Sequence, residues 1–502
     1  MSKFLRSNSQ QEEVVENPIR SFAPRSGGAA RSCERATVLR PALAAGLCAA
    51  ILAGCADVSM RPYERPESPA KSTWSRQQAA SVSASETITP DWWKGFKDPQ
   101  LDSLVSKAIA GNFDVKILAA RTQVAKAGIG EARAGAQPFV DVGGGASFEK
   151  STKQDVVKQF NLATQVNWEL DIWGKVEKGV QAQTAEFRAT EADWRAGYLT
   201  LVAGVSSTYF QILQFDEQIN QQQQALAKNK QILTIFEAMS ANGVAPKTQV
   251  LRQRAEVNKL TNDLVELRRL RDVSENALAT LMGVPAGEFK LPPGRLQERV
   301  ALLPVPAGLP SQLLSRRPDI IAAEYRVLEA YDLVGQAKLA QLPSISLTAR
   351  GGTSSFQLTD LLKSFTFGFL PSINLPIFDP SVKARIKTTE AQTTVAEEQY
   401  RKTVITAFEE VENALVNLDA RKQQRTELLE QVAHLKTVAA QTEAQLREGV
   451  ISQLEVFENE RSLLSAQLAV LANHQQILSD TVTLYKVLGG GWPGVVVKNE
   501  SE

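Results

Sequence analysis

The sequence predicts a mainly α-helical chain with a small β part, laid out twice. Three observations carry this. Shifting the chain by 205 or 206 residues brings it onto itself: Asp114-Val115 falls on Asp319-Ile320, Gly130 on Gly335, Ala132 on Ala337, Pro138 on Pro343, Leu170 on Leu375, Gly243-Val244 on Gly449-Val450 and Gly283 on Gly489. Each copy holds two short runs of alternating residues, the pattern of a strand with one apolar and one polar face. Each pair of runs is followed by a proline-free stretch of about 67 residues with apolar positions every 3.5 residues, which predicts a coiled-coil helix about 100 Å long. A repeat of this kind makes each copy one structural unit, and such copies pack as equals.

At the N-terminus, Arg40 precedes an apolar stretch from Pro41 to Ala53 that ends in Leu52-Ala53-Gly54-Cys55. The stretch is too short to span a bilayer as a mature helix. Two readings are open: an ordinary signal peptide with an incidental cysteine, or a segment that resembles a bacterial lipoprotein signal. The second implies cleavage before Cys55 and lipid on its thiol and new amino group. In that resemblance Ala56 allows passage to the outer membrane. Residues 1–54 are therefore set apart from the fold; they lack an internal Met before Met60, which leaves a start near Val38 open. Cys33 and Cys48 fall in the removed part, so the mature chain keeps Cys55 alone and forms no internal disulfide.

Residues 55–98 read as an extended Pro- and Ser-rich tether closing on the aromatic cluster Trp92-Trp93-Lys94-Gly95-Phe96. The first repeat spans 99–290. It opens with one helical segment from Pro99 to about Gly135 and continues through two strands. In the second strand Phe160, Leu162, Val166, Trp168, Leu170 and Ile172 share one parity, and Asn161, Gln165, Asn167, Glu169 and Asp171 share the other. The first strand places Val140, Val142, Ala146 and Phe148 on one face. A long helix over Lys175–Ala241 follows, with its stripe at Trp194, Tyr198, Leu201, Val205, Thr208, Ile212, Phe215 and Ile219. A turn at Asn242-Gly243 sends the chain back through a shorter helix ending near Met282. A Pro-rich linker, 291–310, leads to the second repeat, 311–489. There the strands carry Ile345, Leu347 and Ala349, then Phe365, Phe367, Phe369, Ile373, Leu375 and Ile377 opposite Thr366, Ser372 and Asn374. The helix over Val382–Glu448 keeps Tyr400, Val404, Val411 and Leu418 in the equivalent stripe. A turn at Gly449-Val450, a return helix to about Leu488 and a tail, 490–502, complete the chain.

The strands could form a soluble hairpin packed on helices, and the long helices a two-stranded spacer. The aromatic-rich apolar faces, the polar opposite faces and the outer membrane signal favour a membrane sheet instead. In lipid a sheet must close, since open edges leave amides unsatisfied, and four strands are too few to close. Two chains would give eight strands filled by side chains, and three chains twelve strands around a polar lumen. The second is preferred, with the helices continuing the barrel as a ring of coiled coils.

Several motifs carry a family resemblance. They are Trp92-Trp93 with Phe96-Lys97-Asp98-Pro99-Gln100-Leu101; Trp168-Glu169-Leu170-Asp171-Ile172-Trp173-Gly174-Lys175; Pro306-Ala307-Gly308-Leu309-Pro310-Ser311-Gln312-Leu313-Leu314 running into Arg316-Arg317-Pro318-Asp319-Ile320; and Leu484-Tyr485-Lys486-Val487-Leu488-Gly489-Gly490-Gly491-Trp492. Together they resemble the TolC-like outer membrane factor family, most closely its NodT-type efflux lipoproteins. The resemblance implies a homotrimer, a twelve-stranded outer membrane barrel and a periplasmic α-helical tunnel. The tunnel would dock a periplasmic adaptor and an inner membrane pump, commonly of the resistance-nodulation-division type. It implies a conduit without cofactor beyond the covalent lipid on Cys55.

Site expectations follow. The family closes its inner end at the helical tips, often with an acidic residue after the second Gly-Val. Here that position is Ile451, followed by Ser452 and Gln453, so an apolar constriction that gates by dewetting stands beside simple helix packing. Adaptor contact falls on Gly243, Val244, Gly449 and Val450, where glycine also serves to end helices. Glu169 and Asp171 are expected to face the lumen, either as an acidic cluster favouring cations or as plain solvated residues. A net charge of +1 offers no nucleic-acid surface. His434 and His474 stand alone, Gly143-Gly144-Gly145 opens no helix, and no metal or nucleophile pattern appears, so no enzyme is expected. The rival functions are a type I protein-secretion duct of the same architecture, a structural lipoprotein, and metal export. The last is weakened because Met239 and Met282 are the only methionines in the helical body.

Overall fold

The two copies reproduce each other element by element. A computed structural model describes residues 62–67, 73–75, 89–152, 155–296, 300–303 and 310–491. In the first copy α1 (Pro99–Gly111) and α2 (Phe113–Ala134) lead to β1 (Phe139–Glu149) and β2 (Val157–Leu170), then α3 (Lys175–Ala241) and α4 (Lys247–Leu281). In the second, α5 (Pro310–Arg316) and α6 (Pro318–Leu339) precede β3 (Ser344–Ser355), β4 (Thr366–Asn374), α7 (Pro380–Arg447) and α8 (Gln453–Val487). Lengths match closely: 22 residues in α2 and α6, 67 and 68 in α3 and α7, and 35 in α4 and α8.

Local chemistry starts these helices. Pro99 and Pro380 sit in first turns, where a missing N–H costs nothing. Asp98 and Asp379 precede them and accept from the Gln100 and Ser381 amides at 2.9 and 2.8 Å. The single helix expected from Pro99 to Gly135 is in fact two. Asn112 leaves helical geometry, accepts from Val115 N at 3.0 Å, and donates through Nδ2 to the Leu281 carbonyl at 2.9 Å. The repeat places Arg317 at the same spot, and it donates to the Val487 carbonyl at 3.0 Å. One job, tying a short helix to the end of the return helix, is thus done by two different side chains. Arg317 also holds Asp319 and Glu410 at 2.6 and 2.7 Å.

The four strands form one antiparallel meander in chain order, β1-β2-β3-β4. Helices follow the same order: α2 packs on α3, α3 on α6, and α6 on α7. The heptad stripe of α3 is largely buried, with Val205 and Ile212 wholly so; Tyr400, Val404, Val411 and Leu418 do the same for α7. Around α3 gather Trp92, Trp93 and Phe96, with Trp92 stacked on Tyr485 at 5.1 Å. That cluster is therefore core and not the end of the tether. The tether is docked as well: Trp74 meets Phe408 edge-on, Tyr63 meets Tyr331, and Arg65 pairs with Glu324. Cys55 and the signal segment lie outside the described residues, as do Trp492 and the rest of the tail and most of the linker motif before Pro310.

The start of the linker is held down by buried charge. Arg271 on α4 binds Asp216 on α3 at 2.7 Å, Glu275 at 3.1 Å and the Leu291 carbonyl at 2.7 Å. Glu275, 1% exposed, also accepts from Lys290 and the Leu291 amide. Burial pushes the Asp216 carboxyl up despite Arg271. Burial would also raise Glu275, but the Leu291 N–H, Lys290 and Arg271 outweigh it and hold that carboxyl low.

His474 on α8 is buried, with Nδ1 2.5 Å from Arg425. Burial and the Arg425 charge push its pKa down to about 4. The unfolded chain therefore takes up a proton first, and this residue's contribution to stability is lost as pH falls from about 6.5 towards 4, at most on the order of 3 kcal/mol. His474→Gln is expected to lose less melting temperature between pH 7 and 5 than the unaltered protein. Equal losses in calorimetric scans would contradict this.

Candidate functional site: sheet faces and hairpin tips

Register turns the alternation of single strands into two chemically distinct sheet faces. Val140 pairs with Val166, Val166 with Ala349, and Ala349 with Phe369. Trp168 lies beside Leu347, and Leu347 beside Pro371; Leu170 lies beside Ile345, and Ile345 beside Ile373. This apolar face is uncovered in the single chain: Val142, Phe148, Phe367, Phe369 and Ile373 are all exposed. The opposite parity aligns Asp141, Gln165 and Arg350 in one row and Asn167 with Thr348 in the next. Its side chains bond to each other, as in Gln165–Asn167 at 2.7 Å, Thr348–Asn167 at 3.1 Å and Ser346–Ser372 at 2.7 Å.

Strands of 9 to 14 residues are long enough to cross a bilayer when tilted. No described helix is long and apolar enough to do so. Both outer strands, β1 and β4, carry one unpaired edge. At the sheet's base the Trp168 indole donates to the Ala136 carbonyl at 2.9 Å, and Trp173 to the Pro343 carbonyl at 2.7 Å. These pin strand ends to helix ends, where amphipathic tryptophans suit a lipid–water boundary.

Both carboxylates of the expected acidic pair have partners within the chain. β2 ends at Leu170, so Asp171 lies beyond it, and its carboxylate accepts from the Val176 and Glu177 amides at 3.0 and 2.9 Å. It caps α3. Glu169, on the polar parity, is paired with Lys175 at 2.6 Å. Arg350 joins the same polar face and was not singled out from sequence. Parity alone would have found it, since it alternates with Ala349 and Gly351.

At the far ends of the long helices the two turns are alike. Val244 N bonds to Met239 O at 2.9 Å and Gly243 N to Ser240 O at 3.1 Å; Val450 N and Gly449 N do the same to Gln445 and Leu446 at 3.0 Å each. This is the Schellman helix ending, and it requires Gly243 and Gly449 to sit at φ of 74° and 73°. A Cβ at either meets nothing within 4 Å, so only the backbone resists substitution. Gly449→Val is expected to weaken this tip by about 1–2 kcal/mol, read as faster amide exchange over 444–456. Unchanged exchange would count against a strained turn. Val244 and Val450 are exposed, whereas Ile451 and Gln453 are half-buried and Ser452 exposed. The four tip residues thus sit at the turns themselves, and Ile451-Ser452-Gln453 leads into α8. Phe236 packs on Phe457 at 6.2 Å and Lys228 pairs with Glu460, so the two hairpins of one chain are joined just behind the tips.

Comparison with known proteins fits this geometry. A family model described as "Outer membrane efflux protein" matches residues 104–284 and again 309–490, one match per copy. The chain is 28% identical to a cation efflux system protein, CusC, of Escherichia coli, over 88% of this chain and 96% of that one. It is 30% identical to a probable efflux pump outer membrane protein, TtgC, of Pseudomonas putida, over 90% and 95%. Its structure superposes on CusC with a TM-score of 0.77 at 26% identity, covering 86% of this chain and 99% of that one. It likewise superposes on the open state of the Neisseria gonorrhoeae MtrE outer membrane channel with 0.77 at 27%, covering 86% and 98%. With the family pattern matched in both copies and 86% of its length superposed on such channels, this chain belongs to the outer membrane efflux protein family.

Proposed function

We propose that three copies of this chain close a twelve-stranded barrel in the outer membrane and form the exit channel of an efflux system. The observation that carries this is the open four-stranded sheet, apolar on one face, polar on the other and unpaired at both edges. Three such sheets satisfy every edge and leave a polar lumen. The long helices then continue the lumen towards the inner membrane. Movement through it is passive, and energy comes from a pump reached through a periplasmic adaptor. A resistance-nodulation-division pump is the partner proposed, by resemblance. Lipid on Cys55 would add an anchor in the outer membrane. Relatives of similar identity are named for cation, toluene and antibiotic efflux, which fits a conduit whose cargo is chosen elsewhere. On those names efflux is preferred to a secretion duct.

Gly243, Val244, Gly449 and Val450 are the proposed adaptor contacts, being at the outermost turns. Ile451, with Ser452 and Gln453, is the proposed gate: three copies would narrow the inner end by apolar contact. Planar-bilayer recording of the purified protein tests both levels. Discrete conductance steps are expected, small for the unaltered chain and larger for Ile451→Asp. Absence of any channel would sink the proposal; an Ile451→Asp channel identical to the parent would remove the gate alone.

A further inference from the structure

We infer that Arg350 and Asp141 form a charge-selective belt inside the barrel, where ions and the charged groups of exported molecules are sorted by sign. The inference rests on the trimer reading above, which puts the polar face of the sheet on the lumen. Register places both residues in one row of that face, Asp141–Gln165–Arg350–Gly368. The row is one residue from Val140–Val166–Ala349–Phe369 on the apolar face, so it lies near mid-depth.

Little else on this face is charged. Among the described strand residues the other charges of that parity are Glu149, at the hairpin end of β1, and Glu169, taken by Lys175 at 2.6 Å. Arg350 has no acidic neighbour. Beside it across the sheet stand Gln165 and Gly368, and before and after it on the same face Thr348 and Gly352. Gln165 and Thr348 both turn to Asn167, at 2.7 and 3.1 Å. Asp141 has no basic neighbour in the chain, with Phe139, Gly143 and Gln165 around it. β4, which would flank β1 across the ring, brings only Thr366, Gly368, Leu370, Ser372 and Asn374 to the same face. Both charged residues are exposed, and each must find its counter-charge in solution.

The wall around the belt is bare. The next row outward, Gly143–Ala163–Gly352–Thr366, holds nothing longer than threonine. A Cβ at Gly143 or Gly368 would meet nothing within 4 Å, so packing within the chain does not require glycine at either place. Their missing side chains leave the arginine room to extend into the lumen. Twelve strands about 4.8 Å apart and tilted about 40° make a wall roughly 24 Å across. Three extended arginines then place their charges roughly 6 Å from the axis, where they enrich anions about fivefold at 0.1 M salt. The same tilt sets the Asp141 ring about 6 Å above or below the Arg350 ring, so the two act in series and do not cancel. Rings of charged side chains select permeating ions by sign in this way.

Reversal potentials in a KCl gradient across a planar bilayer test the belt. Arg350→Ser is expected to lower the chloride-to-potassium permeability ratio by about two- to fivefold. Asp141→Asn should raise it, and Arg350→Lys, which keeps the charge, should hold the parent ratio. In assembled Arg350→Cys channels a positively charged methanethiosulfonate is expected to restore the parent ratio, and a negatively charged one to lower it further. Opposite shifts within one folded protein are an outcome that misfolding cannot mimic, and the unaltered protein serves as the reagent control. Discrete channels with one and the same ratio in all these variants overturn the belt and leave the channel standing. An unaltered protein that forms no channel overturns the trimer reading instead.

Discussion

Phe369→Arg is expected to abolish assembly in the outer membrane, whereas Ser372→Arg, three residues along the same strand, leaves assembly intact and alters conductance. Phe369 lies on the apolar face in the row Val140–Val166–Ala349–Phe369, and Ser372 on the polar face beside Ser346. An arginine facing lipid near mid-depth costs about 2–4 kcal/mol per site, and a closed barrel of three chains would carry three. The polar face asks no such cost, since its groups already bond to one another. Outer membrane fractions probed for the heat-modifiable oligomer give the first readout, and bilayer recording the second. If both variants assembled alike, the assignment of faces would be reversed or void.

The second large effect concerns Arg271. Its replacement by Met would leave Asp216 and Glu275 buried without their shared cation, at a cost of about 3–5 kcal/mol. The loss should appear as a lower unfolding midpoint and as new protease cleavage between 289 and 303, because Leu291, Gly294 and Leu296 are tied to α3 and α4 through Arg271, Glu275, Asp216 and Glu217. Arg271→Lys keeps the charge but not the fork that reaches both carboxylates and the Leu291 carbonyl, so an intermediate loss is expected. Wild-type stability in Arg271→Met would show that the network is ornamental.

Much of the architecture was legible in single-strand and single-helix periodicities. The heptads of α3 run over the same residues, Lys175–Ala241, that are helical, and those predicted from Val382 to Glu448 differ from α7 by two residues at one end and one at the other. Such patterns are local, so one sequence window contains all the information needed. The failures share a different cause. The break at Asn112 depends on the Leu281 carbonyl, 169 residues away. The docking of Tyr63 and Trp74 depends on Tyr331 and Phe408. Asp171 alternates like a strand residue, yet the strand stops one residue earlier because its carboxylate is taken by the start of α3.

By itself, then, the sequence determined the duplication, the parity of each strand, the long helices and the glycine turns, all of which follow from spacing along the chain. Only the tertiary structure decided that β2 pairs with β3, that α3 lies against α6, and that β1, β4, α2 and α7 each keep a free flank. Those relations join residues far apart in the chain, where periodicity carries no register and only hydrogen-bond pairing and side-chain packing can choose among equally patterned partners.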